Sequence, residues 1–222
     1  MTGESPAERL DEVRERIARA ARLAGRAPEA ATLIAVSKTH GPEAIRPLIE
    51  AGQSDFGENR VQEAQSKWPA LKAAAPGLRL HLIGRLQSNK AADAVALFDS
   101  IHSVDRPSLV AALASAMAKA GRHPQCFLQV NIGDEPQKGG CAVADLPGLV
   151  ESAREAGLNL AGLMAVPPAD VEPAPYFALL ARLARRHGLA GLSMGMSADY
   201  ETAVAVGATH VRVGTALFGA RG

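Results

Sequence analysis

Apolar residues along this 222-residue chain recur in two alternating kinds of segment. Residues 5–25 open with Ser5, Pro6 and an acidic Glu8 and carry apolar positions at helical spacing up to Gly25, which predicts an N-terminal helix. After it, short apolar runs of strand character alternate with longer helical runs. The predicted strands cover residues 32–38, 54–57, 80–84, 100–104, 126–131, 160–166, 191–196 and 210–214.

Eight strands separated by helices predict parallel βα units. We expect a closed (β/α)8 TIM barrel, with residues 1–222 forming one domain and residues 1–25 an extra N-terminal helix. An open doubly wound sheet is the alternative, although no Gly-x-Gly-x-x-Gly motif follows an early strand. In a barrel the residues that follow each strand form the functional face, so the strand ends name the candidate site residues.

Lys38 follows the apolar run 33–36 and is one of only six lysines in the chain. A lysine at the end of a packed strand is expected to be partly desolvated, which disfavours the charged ammonium and favours a reactive amine. Such an amine on a rigid element suggests Schiff-base chemistry. In the alternative interpretation, Lys38 simply ends the strand and reaches water.

The ends of the last two predicted strands carry residues typical of an anion site. Residues 193–197, Ser-Met-Gly-Met-Ser, supply two hydroxyls and a glycine before a predicted helix, whose free N–H groups favour phosphate. Arg212, Gly214 and Thr215 add a cation, a close backbone approach and a third hydroxyl. In barrels these two loops are the usual phosphate site. Taken singly, the first motif also fits a tight turn, and Arg212 an internal salt bridge.

An amine across the barrel from an anion site, with room for a flat ring between them, predicts pyridoxal 5′-phosphate (PLP) held as an internal aldimine on Lys38. Arg212 beside the pyridine nitrogen would keep that nitrogen unprotonated, because an arginine is always charged. The ring would then be a weak electron sink.

The composition narrows the class of protein. A formal net charge of +1, with 47% hydrophobic and 21% charged residues, favours neither nucleic acid nor an anionic membrane as a partner. Cys126 and Cys141 lack metal-ligand spacing, so a reducing compartment is the simpler interpretation. With no export signal and no apolar run long enough to span a bilayer, we expect a cytoplasmic protein. The six histidines also lack ligand spacing, so no metal is expected.

Several sequence blocks, in the same order and over nearly the whole chain, resemble the YggS/PROSC family of PLP-binding homeostasis proteins. The blocks are 35–38 (AVSK), 56–63 (FGENRVQE), 81–84 (HLIG), 86–90 (LQSNK), 102–106 (HSVDR), 129–131 (QVN), 138–140 (KGG), 162–164 (GLM), 192–199 (LSMGMSAD) and 211–219 (VRVGTALFG). Leu80 stands where the family usually has tryptophan, and Arg85 occupies a variable position. We expect these two residues to affect the pocket wall only.

The resemblance implies a fold-type III PLP barrel, similar to the barrel domain of alanine racemase but without the second β-domain that carries that enzyme's catalytic tyrosine. It implies that Lys38 is the aldimine lysine, that Arg212 lies near the pyridine nitrogen or phosphate, and that Asn59 lines the ring side. The expected cofactor-binding residues are Lys38, Asn59, Ser193, Met194, Ser197, Arg212, Gly214 and Thr215.

The resemblance also implies a role in PLP homeostasis: a monomeric carrier without turnover, with PLP-dependent apo-enzymes as candidate recipients. The alternative is a PLP-dependent amino-acid racemase, which needs an opposed acid/base pair. Tyr176 and Tyr200 are both expected on helices, so neither is an obvious member of such a pair. Lys138 is interpreted as a solvated loop lysine, with transient carriage of PLP as the alternative. Glu58 is interpreted as a loop residue that fixes Asn59 or Arg60.

Overall fold

The computed structural model describes residues 4–219, whose eight strands run parallel, pair in chain order and close into a barrel. The strands are β1 (Thr32–Val36), β2 (Asp55–Glu58), β3 (Arg79–Leu82), β4 (Ser100–Val104), β5 (Gln125–Gln129), β6 (Leu160–Met164), β7 (Gly191–Met196) and β8 (His210–Val213). The first strand pairs with the last, for example Ile34 with Arg212. This pairing confirms the predicted barrel and excludes the open sheet.

Helices connect the strands and surround the barrel. They are α1 (Pro6–Leu23), α2 (Pro42–Glu50), α3 (Val61–Ala74), α4 (Ala91–Leu97), α5 (Pro107–Ala120), α6 (Leu146–Glu155), α7 (Ala174–Arg186), α8 (Tyr200–Val206) and α9 (Thr215–Phe218), with a 3-10 turn at Ser88–Lys90. Within residues 4–219, none of the helices is both long enough and apolar enough to cross a bilayer.

Helix α1 is the predicted extra helix, and its start follows from the sequence. Ser5 Oγ accepts the Glu8 N–H at 3.2 Å while Glu8 accepts the Ser5 N–H at 2.7 Å, a capping box that pairs two donors left free at a helix start. The helix ends two residues before Gly25, which has a φ of 69°. Its buried face packs against α8 and α9.

Alternation along the strands separates an apolar layer from a polar interior. Residues such as Leu33, Phe56 and Leu82 face the helices and join the hydrophobic core. Polar side chains of several other strands, among them His81, are buried and hydrogen-bond to one another across the barrel. Barrel interiors are usually filled with branched aliphatic residues, so this interior is unusually polar.

The predicted strands were placed correctly, and their ends differ from the observed ones by no more than two residues. Strands β1, β3, β5 and β6 each end two residues earlier than predicted. The sequence stays apolar after β6, at Ala165 and Val166, but becomes polar after β1, at Ser37 and Lys38; at both points the strand ends and a loop begins. Lys38 and Asn131 therefore lie on loops at the barrel edge.

Candidate functional site

A pocket of about 270 Å³ lies at the carboxyl ends of the strands. In barrels this face carries the active or binding site, because its loops are free to vary on a rigid support. The pocket is lined by Val36, Lys38, Thr39, His40, Asn59, Ile83, Val166, Met196, Ser197, Arg212, Gly214, Thr215 and Gly219.

The structure brings most of the predicted site residues together in this pocket, and it places two of them elsewhere. The lining includes Lys38, Asn59, Ser197, Arg212, Gly214 and Thr215. Met194 is fully buried and belongs to the hydrophobic core outside the barrel wall. Ser193 is also fully buried, and its Oγ is hydrogen-bonded to His102 and Arg212 inside the barrel. Neither residue is among those that line the pocket.

Lys38 lies two residues beyond the end of β1, and its side chain is exposed in the pocket. This corrects the expectation that the amine is partly desolvated by the strand end, because the strand stops before Lys38. Within residues 4–219, the Lys38 ammonium forms no ion pair, in contrast to Lys67, Lys72, Lys90 and Lys138. Lys38 is thus a primary amine that no carboxylate holds away from the pocket.

The loop that carries Lys38 has a strained backbone held in place by α3. Thr39 has a φ of 66°, a left-handed conformation that a β-branched residue rarely adopts. Its N–H donates to Glu63 Oε1 at 2.6 Å. Burial raises the pKa of Glu63, but hydrogen bonds from Lys67 and Thr39 outweigh that effect and leave the pKa lower than its usual value. Strain of this kind persists only where the surroundings fix it.

Lys67 is the centre of a buried cluster beneath this loop. Its Nζ donates to the carbonyl oxygens of Ser37 and His40, both at 2.9 Å, and pairs with Glu58 Oε1 at 2.8 Å and Glu63 Oε1 at 2.9 Å. The Lys67 side chain is 6% exposed and that of Glu58 is not exposed at all. Lys67 therefore fixes the two residues that flank Lys38 and Thr39.

Glu58 has a different role from the one expected. It is the last residue of β2, and its Oε1 accepts the Ser37 hydroxyl at 2.6 Å and the Trp68 indole N–H at 3.0 Å as well as pairing with Lys67. Glu58 thus holds β1 and α3, and not Asn59 or Arg60. A lysine on a helix gives no sign in the sequence that it will be buried, so this cluster was missed.

Arg212 is the second cation of the pocket, and it is held from inside the barrel. It is only 4% exposed, and it donates from Nη1 to Ser193 Oγ at 2.7 Å and from Nη2 to the Ala165 carbonyl at 3.0 Å. Burial lowers the pKa of Arg212 to about 10, against the opposing effect of the Asp199 carboxylate. The guanidinium is therefore still charged at neutral pH and meets the pocket without a bonded carboxylate in the described chain.

Ser197, Gly214 and Thr215 form one side of the pocket. The Gly214 N–H donates to Ser197 Oγ at 3.2 Å, which ties the loop after β7 to the end of β8. A Cβ atom on Gly214 would lie 3.3 Å from the Val36 carbonyl oxygen, so glycine allows β8 to end close against β1. Thr215 is exposed and begins α9.

Sequence reasoning missed several pocket residues. His40 lines the pocket and stacks on Phe218 of α9, with ring centroids 4.3 Å apart. Ile83, Val166 and Met196 add apolar surface. These residues lie at or just after the ends of β3, β6 and β7, which the sequence predicted. Apolar residues at strand ends cannot be told from core residues by sequence, so their place in the pocket was not recognised.

The remaining predicted features lie away from the pocket lining. Tyr176 and Tyr200 lie on α7 and α8, as expected. Leu80 is buried in the hydrophobic core and Arg85 is exposed outside this pocket, so neither forms its wall. Lys138 pairs with Glu135 at 2.5 Å and donates to the Pro167 carbonyl at 2.8 Å.

The two cysteines and the other metal-binding residue types form no obvious site. Cys126 and Cys141 are both free and buried, and burial raises the pKa of each thiol to about 12. Across residues 4–219, no group of three or more His, Cys, Asp or Glu residues has an arrangement that suits a metal ion.

The Lys67 cluster yields a prediction about stability. Lys67→Met should lower the free energy of unfolding by about 3–5 kcal/mol, because it leaves the Glu58 carboxylate buried without its cation. Lys72→Met on the same helix is the control: Lys72 pairs with Asp99 at 2.6 Å in a half-exposed position, where about 1 kcal/mol or less is expected. Urea denaturation of both variants measures the difference, and equal losses would contradict the central role of Lys67.

Comparison with known proteins places the chain in a family. The family model described as alanine racemase, N-terminal domain, matches residues 9–222. A pyridoxal phosphate homeostasis protein of Pseudomonas aeruginosa is 46% identical over 97% of this chain and 95% of its own length. These matches extend over nearly all of both chains.

Solved structures agree with the sequence matches. PipY of Synechococcus elongatus is similar in a structure without PLP (TM-score 0.87, 41% identity) and in one with PLP bound (TM-score 0.81, 40% identity), and each match covers 97% of this chain and 100% of PipY. Alanine racemase of Bacillus anthracis has a TM-score of 0.69 at 16% identity over 96% of this chain and 56% of the racemase, which shows a shared barrel fold alone. The chain belongs to the alanine racemase N-terminal domain family and, within it, to the pyridoxal phosphate homeostasis proteins.

Proposed function

We propose that this chain binds PLP in the pocket at the carboxyl ends of its strands and serves to hold and release it. The observation that carries the proposal is the meeting of Lys38, Arg212 and the group Ser197, Gly214 and Thr215 in one pocket. The printed name of the Pseudomonas relative and the PipY structure with PLP bound support it.

The residues present fit the chemical groups of PLP. When bound, PLP supplies an aldehyde that a primary amine captures reversibly, a phosphate and a flat pyridine ring. Lys38 offers an exposed amine with no carboxylate bonded to it. Ser197 and Thr215 offer hydroxyl donors, and Gly214 lets an anion approach the backbone. Arg212 offers a charged guanidinium that is hydrogen-bonded to Ser193 and Ala165 and to no carboxylate among the described residues.

In this proposal Lys38 would hold PLP through its aldehyde, and the Lys67 cluster would hold the loop so that the amine keeps a fixed position. Preorganisation of this kind lowers the ordering cost of binding. Thr215 and Ser197 would hold the phosphate, Arg212 would hold either the pyridine nitrogen or the phosphate, and Asn59 would contact the ring.

The pocket favours a carrier over a racemase. Racemisation requires proton transfer to and from the amino acid on both sides. Tyr176 and Tyr200 do not line the pocket, and an arginine does not release a proton at neutral pH. We infer that the protein holds PLP without turnover and passes it to PLP-dependent apo-enzymes. Two free, buried cysteines fit a reducing compartment such as the cytoplasm.

Covalent capture is tested by reducing the protein with borohydride in the presence of PLP and mapping the modified peptide. We expect the pyridoxyl group on Lys38, because that amine is exposed in the pocket and has no ion-pair partner. In Lys38→Ala the pyridoxyl label should be lost, and no other lysine should carry it instead. A label carried mainly by Lys90 or Lys138, with Lys38 unmodified, would contradict this assignment.

The phosphate assignment is tested by comparing PLP with pyridoxal, which lacks the phosphate. Thr215→Ala should weaken the binding of PLP by about 1–2 kcal/mol, the value of a hydrogen bond to a charged oxygen, and should leave pyridoxal almost unaffected. Equilibrium dialysis gives both affinities. If the variant weakened both vitamers equally, Thr215 would not contact the phosphate.

The carrier role is tested by incubating the PLP-loaded protein with L-alanine in D₂O and following the α-proton by NMR. We expect no exchange above the rate of free PLP, because neither tyrosine lines the pocket and Arg212 does not release its proton at neutral pH. An alanine racemase sample serves as the positive control. Rapid exchange by this protein would favour the racemase alternative.

A further inference from the structure

The barrel interior contains a hydrogen-bonded chain that the proposed function does not use. From the pocket inwards, Arg212 Nη1 lies 2.7 Å from Ser193 Oγ, and the same oxygen lies 2.8 Å from His102 Nδ1. His102 Nε2 lies 3.0 Å from His81 Nδ1, and His81 Nε2 lies 3.0 Å from Asp55 Oδ1. We call these five residues the Asp55–Arg212 chain.

All five residues are at most 4% exposed, so the Asp55–Arg212 chain is screened from water along its length. Asp55 is the first residue of β2, whereas Arg212 lines the pocket near the end of β8. The chain therefore crosses the barrel from the amino ends of the strands to the pocket. Buried polar networks of this kind are costly unless every member is satisfied.

The two charged ends fix the direction of the hydrogen bonds that they themselves make. A guanidinium can only donate and an ionised carboxylate can only accept. Burial raises the pKa of Asp55, but hydrogen bonds from His81 and Arg79 outweigh this effect and lower it to about 2. Asp55 is therefore ionised at neutral pH and must accept from its partners.

The directions inside the chain are assigned from the Ser193 hydroxyl. Its oxygen accepts from Arg212, and within residues 4–219 its other hydrogen-bond partner is His102 Nδ1, so the O–H donates to Nδ1. Burial lowers the pKa of His102 well below its ordinary value, so this ring is neutral and carries its one proton on Nε2. That N–H donates to His81 Nδ1, with Ser100 Oγ at 3.0 Å as a second acceptor, and His81 Nε2–H donates to Asp55. The reverse order would leave the Ser193 hydroxyl proton without an acceptor in the described chain.

The Asp55–Arg212 chain fixes one edge of the Arg212 guanidinium and leaves its other N–H donors available. A guanidinium has five N–H donors; Ser193 and Ala165 accept one each, so three have no bonded acceptor within residues 4–219. A buried arginine is usually held by a carboxylate, but the carboxylate here is four hydrogen bonds away, at Asp55. An orientation set from inside the barrel keeps the pocket side of the cation free for a ligand.

We propose that Ser193, His102, His81 and Asp55 are positioning residues that orient Arg212 towards the ligand of the pocket. This inference rests on the proposed function for the identity of that ligand, PLP. It assigns Ser193 to the support of Arg212, and it gives the barrel histidines a role that neither metal binding nor apolar packing supplies.

The first test needs no cofactor. Ring-nitrogen NMR shifts of ¹⁵N-histidine-labelled protein should show His102 neutral, with Nδ1 unprotonated and Nε2 protonated, because the two nitrogens have opposite roles in the chain. Ser193→Ala should remove the donor to Nδ1 and shift that resonance most. A proton on Nδ1 of His102 in the parent protein would overturn the assigned direction and, with it, the proposal.

The second test measures PLP binding with a matched serine control. Ser193→Ala and His102→Phe should each raise the Kd for PLP about tenfold, the effect typical of removing a group that orients a ligand-binding residue. Ser103→Ala is the control, because Ser103 is an equally buried barrel serine whose hydroxyl has no partner in the described residues; its Kd should match that of the parent. Urea unfolding confirms that each variant is folded.

The double variant distinguishes the loss of one shared hydrogen-bonded chain from two independent effects on the structure. Because either single change cuts the same chain, Ser193→Ala with His102→Phe should bind PLP about as well as either single variant. A Kd for Ser193→Ala equal to the parent, or losses that multiply in the double variant, would overturn the proposal. If the parent itself failed to bind PLP, the proposed function would fall, and the NMR test would still decide whether the chain has the assigned direction.

Discussion

The parallel pairing of β1 with β8 is the constraint on which the pocket depends. It closes the barrel and sets Ile34 beside Arg212 and Ala35 beside Val213, so the residues that follow both strands leave the sheet at one edge. The exposed Lys38 from the first part of the chain and Gly214 and Thr215 from its last part therefore share one pocket. Gly214 makes this approach possible, because a side chain there would press on Val36.

Much of this arrangement was predictable from sequence, because it depends on local patterns. Strand runs separated by helices, counted to eight, predict a barrel, and a barrel fixes which strand ends share a face. That logic correctly brought Lys38, Arg212 and Thr215 into one pocket. Ser193 and Met194 do not line the pocket, because both lie within β7, whose end at Met196 was predicted correctly, and not after it. Ser193 is bonded inside the barrel and Met194 packs in the hydrophobic core, so only the end of the motif reaches the pocket.

The support beneath the pocket was not predictable, because it consists of long-range polar contacts. Lys67 is a helix residue of ordinary appearance, and its burial depends on Glu58 of β2 and on the carbonyls of the Lys38 loop. The barrel histidines likewise lack any sequence spacing that marks them as neighbours. Both networks use buried polar groups to hold a basic residue of the pocket. The Lys67 cluster holds the loop of Lys38, and the Asp55–Arg212 chain holds Arg212. Such groups are poor sources of stability compared with apolar packing, so their presence points to positioning.

The most direct test of this account is a crystal structure of the protein grown with PLP. The account predicts continuous electron density from Lys38 Nζ to the aldehyde carbon, the phosphate against Ser197, Gly214 and Thr215, and Arg212 within hydrogen-bonding distance of the cofactor while still bonded to Ser193. Cofactor density centred on another lysine, such as Lys138, or an Arg212 turned away from both the cofactor and Ser193, would contradict it.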